Sequence, residues 1–90
     1  MTRDEFIKKI NDNKYYSLWD IQIPDAKLVD YGLYFYSHGW YNIATDVYEL
    51  EDGYVGVRGV NGCSSSHSYN DVAILCKAFP MKKVETYVKE

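Results

Sequence analysis

Long apolar stretches are missing from this chain of 90 residues. No run approaches the roughly 18 residues that a membrane-spanning helix needs, and the opening MTRDEFIKKI lacks the apolar stretch of a secretory signal. We therefore expect a soluble protein that stays in the cytoplasm. The length suits one domain over residues 1–90, since single cores usually run to roughly 100 residues or more.

Cysteine and proline are also scarce, with two residues of each. Cys63 and Cys76 fit a reducing cytosol as free thiols, with a single disulfide in an exported domain as the alternative. The spacing of Cys63 and His67 suits two zinc ligands, but no paired Cys-x-x-Cys or His-x-x-x-His unit supplies the others. We therefore expect neither a metal nor a cofactor.

Motifs for catalysis are scarce too. The serines at 64–66 lie beside His67, but a nucleophile needs a base in hydrogen-bond reach and a third group that orients the base. Gly56, Gly59 and Gly62 lie in or just after a predicted strand, so they do not open a helix as a phosphate-binding loop does. Gly56 and Gly59 more simply relieve crowding or allow a bulge. We expect a binding protein rather than an enzyme.

Tyrosine is what the sequence has in abundance, with ten residues beside two Trp and three Phe. Tyr and Trp supply a large contact area at a low cost in conformational entropy, and they are enriched at interfaces for that reason. They also fit the core of a β-sheet. Both roles therefore stay open for each ring.

Charge is unevenly distributed along the chain. Residues 20–52 hold seven Asp and Glu against Lys27 alone, a local net charge of −6, whereas residues 53–90 hold five Lys and Arg against three acids. The acidic segment attracts basic surfaces and repels phosphate backbones. Because acids are the neighbours of the tyrosines, direct binding of nucleic acid is not expected, although the C-terminal lysines form a separate basic patch.

The pattern of elements predicts an α+β fold. Thr2 and Glu5 form a capping box, which predicts a short N-terminal helix with Phe6 and Ile10 on one side. From Leu28 onward the pattern is that of β-strands. We expect a single antiparallel β-sheet of four to six strands with the short N-terminal helix packed on one face.

Two turn signals predict the register of this sheet. His38-Gly39 closes one hairpin by pairing Ser37 with Trp40, and Asp52-Gly53 closes the next by pairing Glu51 with Tyr54. The two hairpins share one strand, and both registers assign the same residues of that strand to one face of the sheet. We expect the helix to cover this face. The predicted core face consists of Leu33, Phe35, Ala44, Tyr48, Leu50, Val55 and Val57.

The opposite face carries tyrosines where a solvated face would carry Thr, Lys and Glu. Either the C-terminal segment covers it or a partner does. In the second case tyrosines anchor a basic protein surface, such as that of a nucleic-acid-binding effector, while acids steer the encounter. A second copy of the chain, or a small ligand held at an oligomer interface, is the alternative. The predicted interface consists of Asp30, Tyr34, Tyr36, Tyr41, Asp46 and Glu49.

Several short motifs resemble a known group of proteins. They are a His-x-Trp-Tyr turn at 38–41, an Asp-Gly hairpin at 52–53, the strand Tyr-Val-Gly-Val at 54–57, and the ending Ala-Phe-Pro-Met with Val-Glu-Thr-Tyr. Their order over residues 31–88 resembles small, largely uncharacterised accessory proteins of phages and mobile elements in gut and Gram-positive bacteria. The resemblance implies such an accessory protein, and proteins of that kind are often inhibitors of host defence, such as anti-CRISPR proteins.

Overall fold

One antiparallel sheet with a short N-terminal helix makes up the structure, a computed structural model that describes residues 1–90. Helix α1 spans Arg3–Asp12, and strands β1 to β5 span Lys27–Ser37, Tyr41–Leu50, Gly53–Cys63, Lys77–Lys83 and Tyr87–Lys89. Each strand pairs with the next in chain order. A 3-10 turn at Leu18–Asp20 and a one-turn helix α2 at Tyr69–Val72 lie in the connections. The predicted sheet and helix are confirmed, and neither α-helix has the length and apolarity that a membrane span requires.

Helix α1 begins at the predicted capping box. The Thr2 hydroxyl accepts from the Glu5 amide at 3.2 Å, and the Glu5 carboxylate accepts from the Thr2 amide at 3.0 Å. The bond from the Thr2 amide holds the pKa of Glu5 below its ordinary value. Phe6 and Ile10 are completely buried on the side of the helix that faces the sheet. The sequence therefore fixes both the start of this helix and the face that it packs.

The main core lies between α1 and one face of the sheet, here called the helix-side face. Twelve buried residues form this core. Five residues of the predicted core face belong to it, which confirms that part of the prediction. They are Ala44, Tyr48, Leu50, Val55 and Val57.

Both predicted hairpin registers are wrong by two residues. Ser37 pairs with Asn42 rather than with Trp40, and Gly53 pairs with Leu50, which puts Asp52 in the turn. The Asp-Gly pair is thus not the centre of its turn. Because side chains alternate with a period of two, an error of two residues leaves the side chains of β2 and β3 that form the core on their predicted face. The core positions of β2 and β3 were therefore predictable despite the wrong register.

Strand β1 departs from the regular pleat. Its pairing with β2 shifts between Leu28 and Asp30, between Asp30 and Leu33, and again between Leu33 and Tyr36. Gly32 and Tyr34 have φ values of 71° and 51°, in the left-handed region that glycine tolerates best.

These irregularities move two residues of the predicted core face off the helix side. Leu33 packs against a buried cluster on the opposite face, and the Phe35 side chain is 55% exposed. An extra residue in one strand changes the face to which the following side chains point. The prediction for Leu33 and Phe35 was wrong because it assumed an uninterrupted strand.

The sheet curls so that its first and last strands meet over the second face, here called the concave face. The Tyr34 hydroxyl donates to the main-chain carbonyl of Tyr87 at 2.6 Å, which joins β1 to β5. Val47, Met81 and Tyr87 are buried beneath this contact. The C-terminal strands therefore cover part of the face that carries the predicted tyrosines, which is one of the two alternatives left open by the sequence.

Gly56 and Gly59 allow close packing across β3. A Cβ atom at Gly56 would lie 2.3 Å from the Met81 sulfur, and one at Gly59 would lie 2.4 Å from the Cys76 sulfur. Contacts this short do not occur between real side chains, so any larger residue would displace a neighbour. The prediction that these glycines relieve crowding is confirmed.

Candidate functional site

Exposed apolar side chains are concentrated along strand β1. Seven of the eight large exposed hydrophobic residues lie between positions 19 and 40, and β1 is an edge strand whose outer side has no partner. A concentration of exposed apolar side chains is typical of an interaction site. This aromatic flank consists of Trp19, Leu28, Tyr31, Tyr34, Phe35, Tyr36 and Trp40.

An open groove of about 380 Å³ lies where the aromatic flank meets the helix-side face. Trp19 and Tyr31 line it and are 69% and 74% exposed. The 3-10 turn positions Trp19, because its amide donates to the Ser17 hydroxyl and its indole N–H donates to the carbonyl of Asn61. The remaining lining residues are Leu18, Ile21, Leu28, Asp46, Tyr48 and Asn61.

Asp46 is the one charged residue of this groove. Its carboxylate accepts from the Gly32 amide at 3.2 Å, and none of the ion pairs in the structure includes it. Burial raises the pKa of Asp46, and the neighbouring Asp30 carboxylate acts in the same direction. Burial also raises the pKa of Tyr48, beside it, to about 12. The groove thus holds a half-buried negative charge without a cationic partner.

The three predicted acids lie in different places. Asp30 and Asp46 are close together at the irregular part of β1, where the Asp30 carboxylate accepts from the Tyr31 amide at 2.8 Å. Glu49 is opposite Tyr54 near the far end of β2, eight residues or about 26 Å from Tyr41. Asp46 faces the groove, whereas Glu49 belongs to the other face of the same strand. The acids therefore do not form one rim.

Two of the three predicted tyrosines lie together at the tip of the β1–β2 hairpin. The rings of Tyr36 and His38 are 4.3 Å apart, and His38 stacks on Tyr41 at 5.0 Å. Tyr36 is 57% exposed, whereas Tyr41 is half-buried. Tyr34 is separate, since its hydroxyl is tied to β5 across the concave face.

The connection between β3 and α2, residues 64–68, packs on this hairpin tip. The His67 ring stacks on Trp40 at 4.1 Å, and the Ser64 amide donates to the Trp40 carbonyl at 2.7 Å. The Ser64 and Ser66 hydroxyls each lie 3.1 Å from Nδ1 of His67, while its other ring nitrogen has no hydrogen-bond partner in the protein. The contacts of this segment with Trp40 thus hold the hairpin tip in place.

The cysteines are both free thiols, and they do not lie in a metal-binding arrangement. No group of three or more His, Cys, Asp or Glu side chains is placed so that it could hold a metal ion. Cys76 is buried, and burial raises its pKa to about 11. A buried thiol with a raised pKa is an inert packing residue rather than a nucleophile.

Sequence reasoning missed Trp19, Leu28 and Tyr31 as site residues. They converge only because the 3-10 turn and the irregular pairing of β1 bring them around Asp46. Gly32 was the available signal, because glycine inside a strand pattern marks a bulge or a close approach.

Comparisons with protein-family models, with curated proteins and with solved structures found no match for this chain.

Proposed function

We propose that this chain is a non-enzymatic binding domain whose groove and aromatic flank dock on a basic protein surface. The observation that carries this proposal is the unpaired, half-buried carboxylate of Asp46 beside the two highly exposed rings of Trp19 and Tyr31. A Lys or Arg side chain matches this groove, because its aliphatic stem packs on apolar walls while its charged end reaches an acid.

The expected energies favour this groove over an ordinary surface ion pair. An exposed salt bridge contributes about 0–1 kcal/mol. A hydrogen bond to a charged group contributes about 1.5–3 kcal/mol, and an aromatic ring beside the cation adds about 0.5–1 kcal/mol. One basic side chain seated against Asp46 would therefore be the central contact. The rings of the hairpin tip would extend the contact area around it.

Charge supports the same partner. Of the acids in residues 20–52, Asp46 lines the groove and Asp30 is its neighbour, whereas Glu51 is paired with the N-terminal amine. Two neighbouring carboxylates at the groove attract a basic partner and repel an acidic one.

The proposal extends to the biological setting through the resemblance of residues 31–88 to phage and mobile-element accessory proteins. We propose a protein that acts in the cytoplasm of a bacterial host and inhibits a host defence nuclease, in the manner of anti-CRISPR proteins. A nuclease is a fitting partner because the surface on which it binds nucleic acid is basic.

Calorimetric titration with a capped peptide of alternating Arg and Gly tests the groove. Asp46→Asn should weaken binding about tenfold, a loss of about 1.4 kcal/mol. Glu85→Gln is the matched control, since it removes the same charge from an exposed position in the β4–β5 turn, and it should change the affinity less than about twofold. Equal losses in the two variants would mean that only net charge attracts the peptide, which would contradict the proposal.

Self-association is the second candidate function, and the exposed apolar flank on an edge strand favours it. An edge strand can pair with a second copy, but irregular pairing such as that of β1 is a device that blunts edges. We therefore expect a monomer by light scattering at micromolar concentration. A stable dimer that protects Tyr31 and Tyr36 from solvent would replace the docking proposal with this one.

A further inference from the structure

The concave face contains a second cavity, and its chemistry is the opposite of the groove's. This cavity has a volume of about 310 Å³. None of its lining residues is acidic, and two of them are cations. The lining consists of Tyr34, Thr45, Arg58, Phe79, Met81 and Lys89.

The Arg58 guanidinium is hydrogen-bonded to the protein through one of its three nitrogen atoms only. Its Nη1 atom donates to the Tyr34 carbonyl at 3.1 Å and to the Thr45 hydroxyl at 3.2 Å. These two bonds use both hydrogens of Nη1, whereas Nε and Nη2 have no acceptor in the protein. The free edge of a guanidinium is the edge that binds the two oxygens of an oxyanion side by side. The protein thus holds the Arg58 guanidinium in place but provides no acceptor for its Nε and Nη2 donors.

Lys89 supplies a second cation at the same cavity. Its ammonium lies 5.2 Å from the centre of the Phe79 ring, and neither Lys89 nor Arg58 takes part in any ion pair of the structure. Lys77, opposite Arg58 in the β3–β4 register, adds a third positive charge to this face. Glu49 belongs to the same face but lies opposite Tyr54, four residues or about 13 Å along β3 from Arg58.

We propose that this cavity binds a small molecule in which a phosphate monoester is joined to a flat apolar body. Two cations match the double charge of a phosphate monoester better than the single charge of a carboxylate. Phe79, Met81 and Tyr34 offer apolar and aromatic surface next to the cations, and the volume is near the lower limit for small-molecule pockets. The site is independent of the groove, because it lies on the other face of the sheet and prefers the opposite charge.

Adenosine monophosphate is the probe, and calorimetry with the full chain is the measurement. We expect a saturable Kd of about 1 mM or tighter. Arg58→Gln should weaken binding at least about tenfold, because it removes the fork and its charge. Lys82→Gln is the matched control, since Lys82 is an exposed lysine of β4 that does not line the cavity, and it should have little effect.

Two further titrations test the contributions of the phosphate and of the apolar body to binding. Adenosine, which lacks the phosphate, and inorganic phosphate, which lacks the apolar body, should each bind more weakly than adenosine monophosphate. Lys89→Gln is the second variant in case Arg58→Gln does not fold, because Lys89 is exposed, and it should weaken binding about threefold.

Four results would overturn the proposal. They are the absence of binding at millimolar adenosine monophosphate, equal affinity for adenosine, unchanged affinity in both cavity variants, and binding of a ten-nucleotide oligothymidine more than about a hundredfold tighter. The last result would identify a surface for single-stranded nucleic acid, which uses the same aromatic and basic groups along a strand.

Discussion

The two faces of the sheet are closed in different ways. On the helix side, α1 seals twelve buried residues into a continuous core, whereas the buried cluster on the concave face has only three residues and a cavity beside it. The helix side also borders an acidic groove, and the concave face carries unpaired cations. Stability is thus concentrated on one face, while each face offers a site of its own charge.

This difference shows how a small domain can retain charged side chains that form no ion pair. An unpaired half-buried charge lowers stability, so it is tolerated only where the rest of the fold compensates. The helix-side core supplies that margin. Asp46 and Arg58 each make hydrogen bonds but no ion pair in the structure, and on this ground we propose each of them as a binding group.

The largest expected effect comes from opening the helix-side core. Phe6→Ala should lower the free energy of unfolding by about 3–5 kcal/mol, because the ring is completely buried and its centre lies 5.0 Å from that of the Tyr48 ring. Urea denaturation followed by circular dichroism measures this loss. Lys8→Ala, on the exposed side of the same helix, should change stability by less than about 0.5 kcal/mol. Similar losses in both variants would show that α1 does not seal the core.

A smaller loss is expected from crowding the concave side. Gly56→Ala should lower the free energy of unfolding by about 1–3 kcal/mol, because its Cβ would meet Met81 and Phe79. Gly62→Ala is the control in the same strand, since its Cβ would approach only Asn42, at 3.8 Å, and it should be nearly neutral. Thermal unfolding of both variants is the measurement. A similar loss of stability in the two would indicate a general cost of replacing glycine and would contradict the explanation by crowding.

Removing the hydrogen bond that joins β1 to β5 should lower the free energy of unfolding by less. Tyr34→Phe removes the hydroxyl that bonds to the Tyr87 carbonyl, so we expect a loss of about 0.5–1.5 kcal/mol. It should also accelerate hydrogen exchange of the β5 amides. The Tyr36 hydroxyl makes no hydrogen bond within the protein, and Tyr36→Phe should therefore leave both stability and exchange unchanged. Unaltered β5 exchange in Tyr34→Phe would mean that the curl does not depend on this bond.

The smallest expected effect concerns the charge in the groove. Burial raises the pKa of Asp46 above its value of about 3.9 in an unfolded chain. Its contribution to stability is therefore complete below that value and is lost as the pH rises through the folded pKa. Asp46→Asn removes this dependence, so the variant should gain stability relative to the natural chain between acidic and neutral pH.

Urea denaturation of Asp46→Asn and the natural chain at several pH values checks this sign. Asp30 and Tyr48 are present in both proteins, as are the other titrating groups, so their contributions cancel approximately in the difference. A stability difference that does not vary with pH would show that Asp46 titrates as an exposed acid does.

Local patterns predicted part of this fold well. The capping box, the buried side of α1 and the core positions of β2 and β3 follow from rules that involve neighbouring residues or a strict period of two. The faces taken by Leu33 and Phe35 did not follow, because the shifts in β1 pairing depend on left-handed backbone at Gly32 and Tyr34.

The site was predictable only in part for the same reason. Exposure of Tyr36 and the acidic character of β1 and β2 could be inferred from the sequence. The convergence of Trp19 and Tyr31 on Asp46 required the three-dimensional path of the chain between the helix and β1. The cavity around Arg58 required the curl, which joins residues 34 and 87 across the whole sheet.

The central claim is that two sites of opposite charge lie on opposite faces of one sheet, and a two-probe NMR titration tests it most directly. The indole N–H of Trp19 reports on the groove, and the Nε–H of Arg58 reports on the cavity. We expect the basic peptide to shift the first signal and adenosine monophosphate the second, with neither ligand displacing the other. Shifts of the same signals by both ligands, or mutual displacement, would contradict the account.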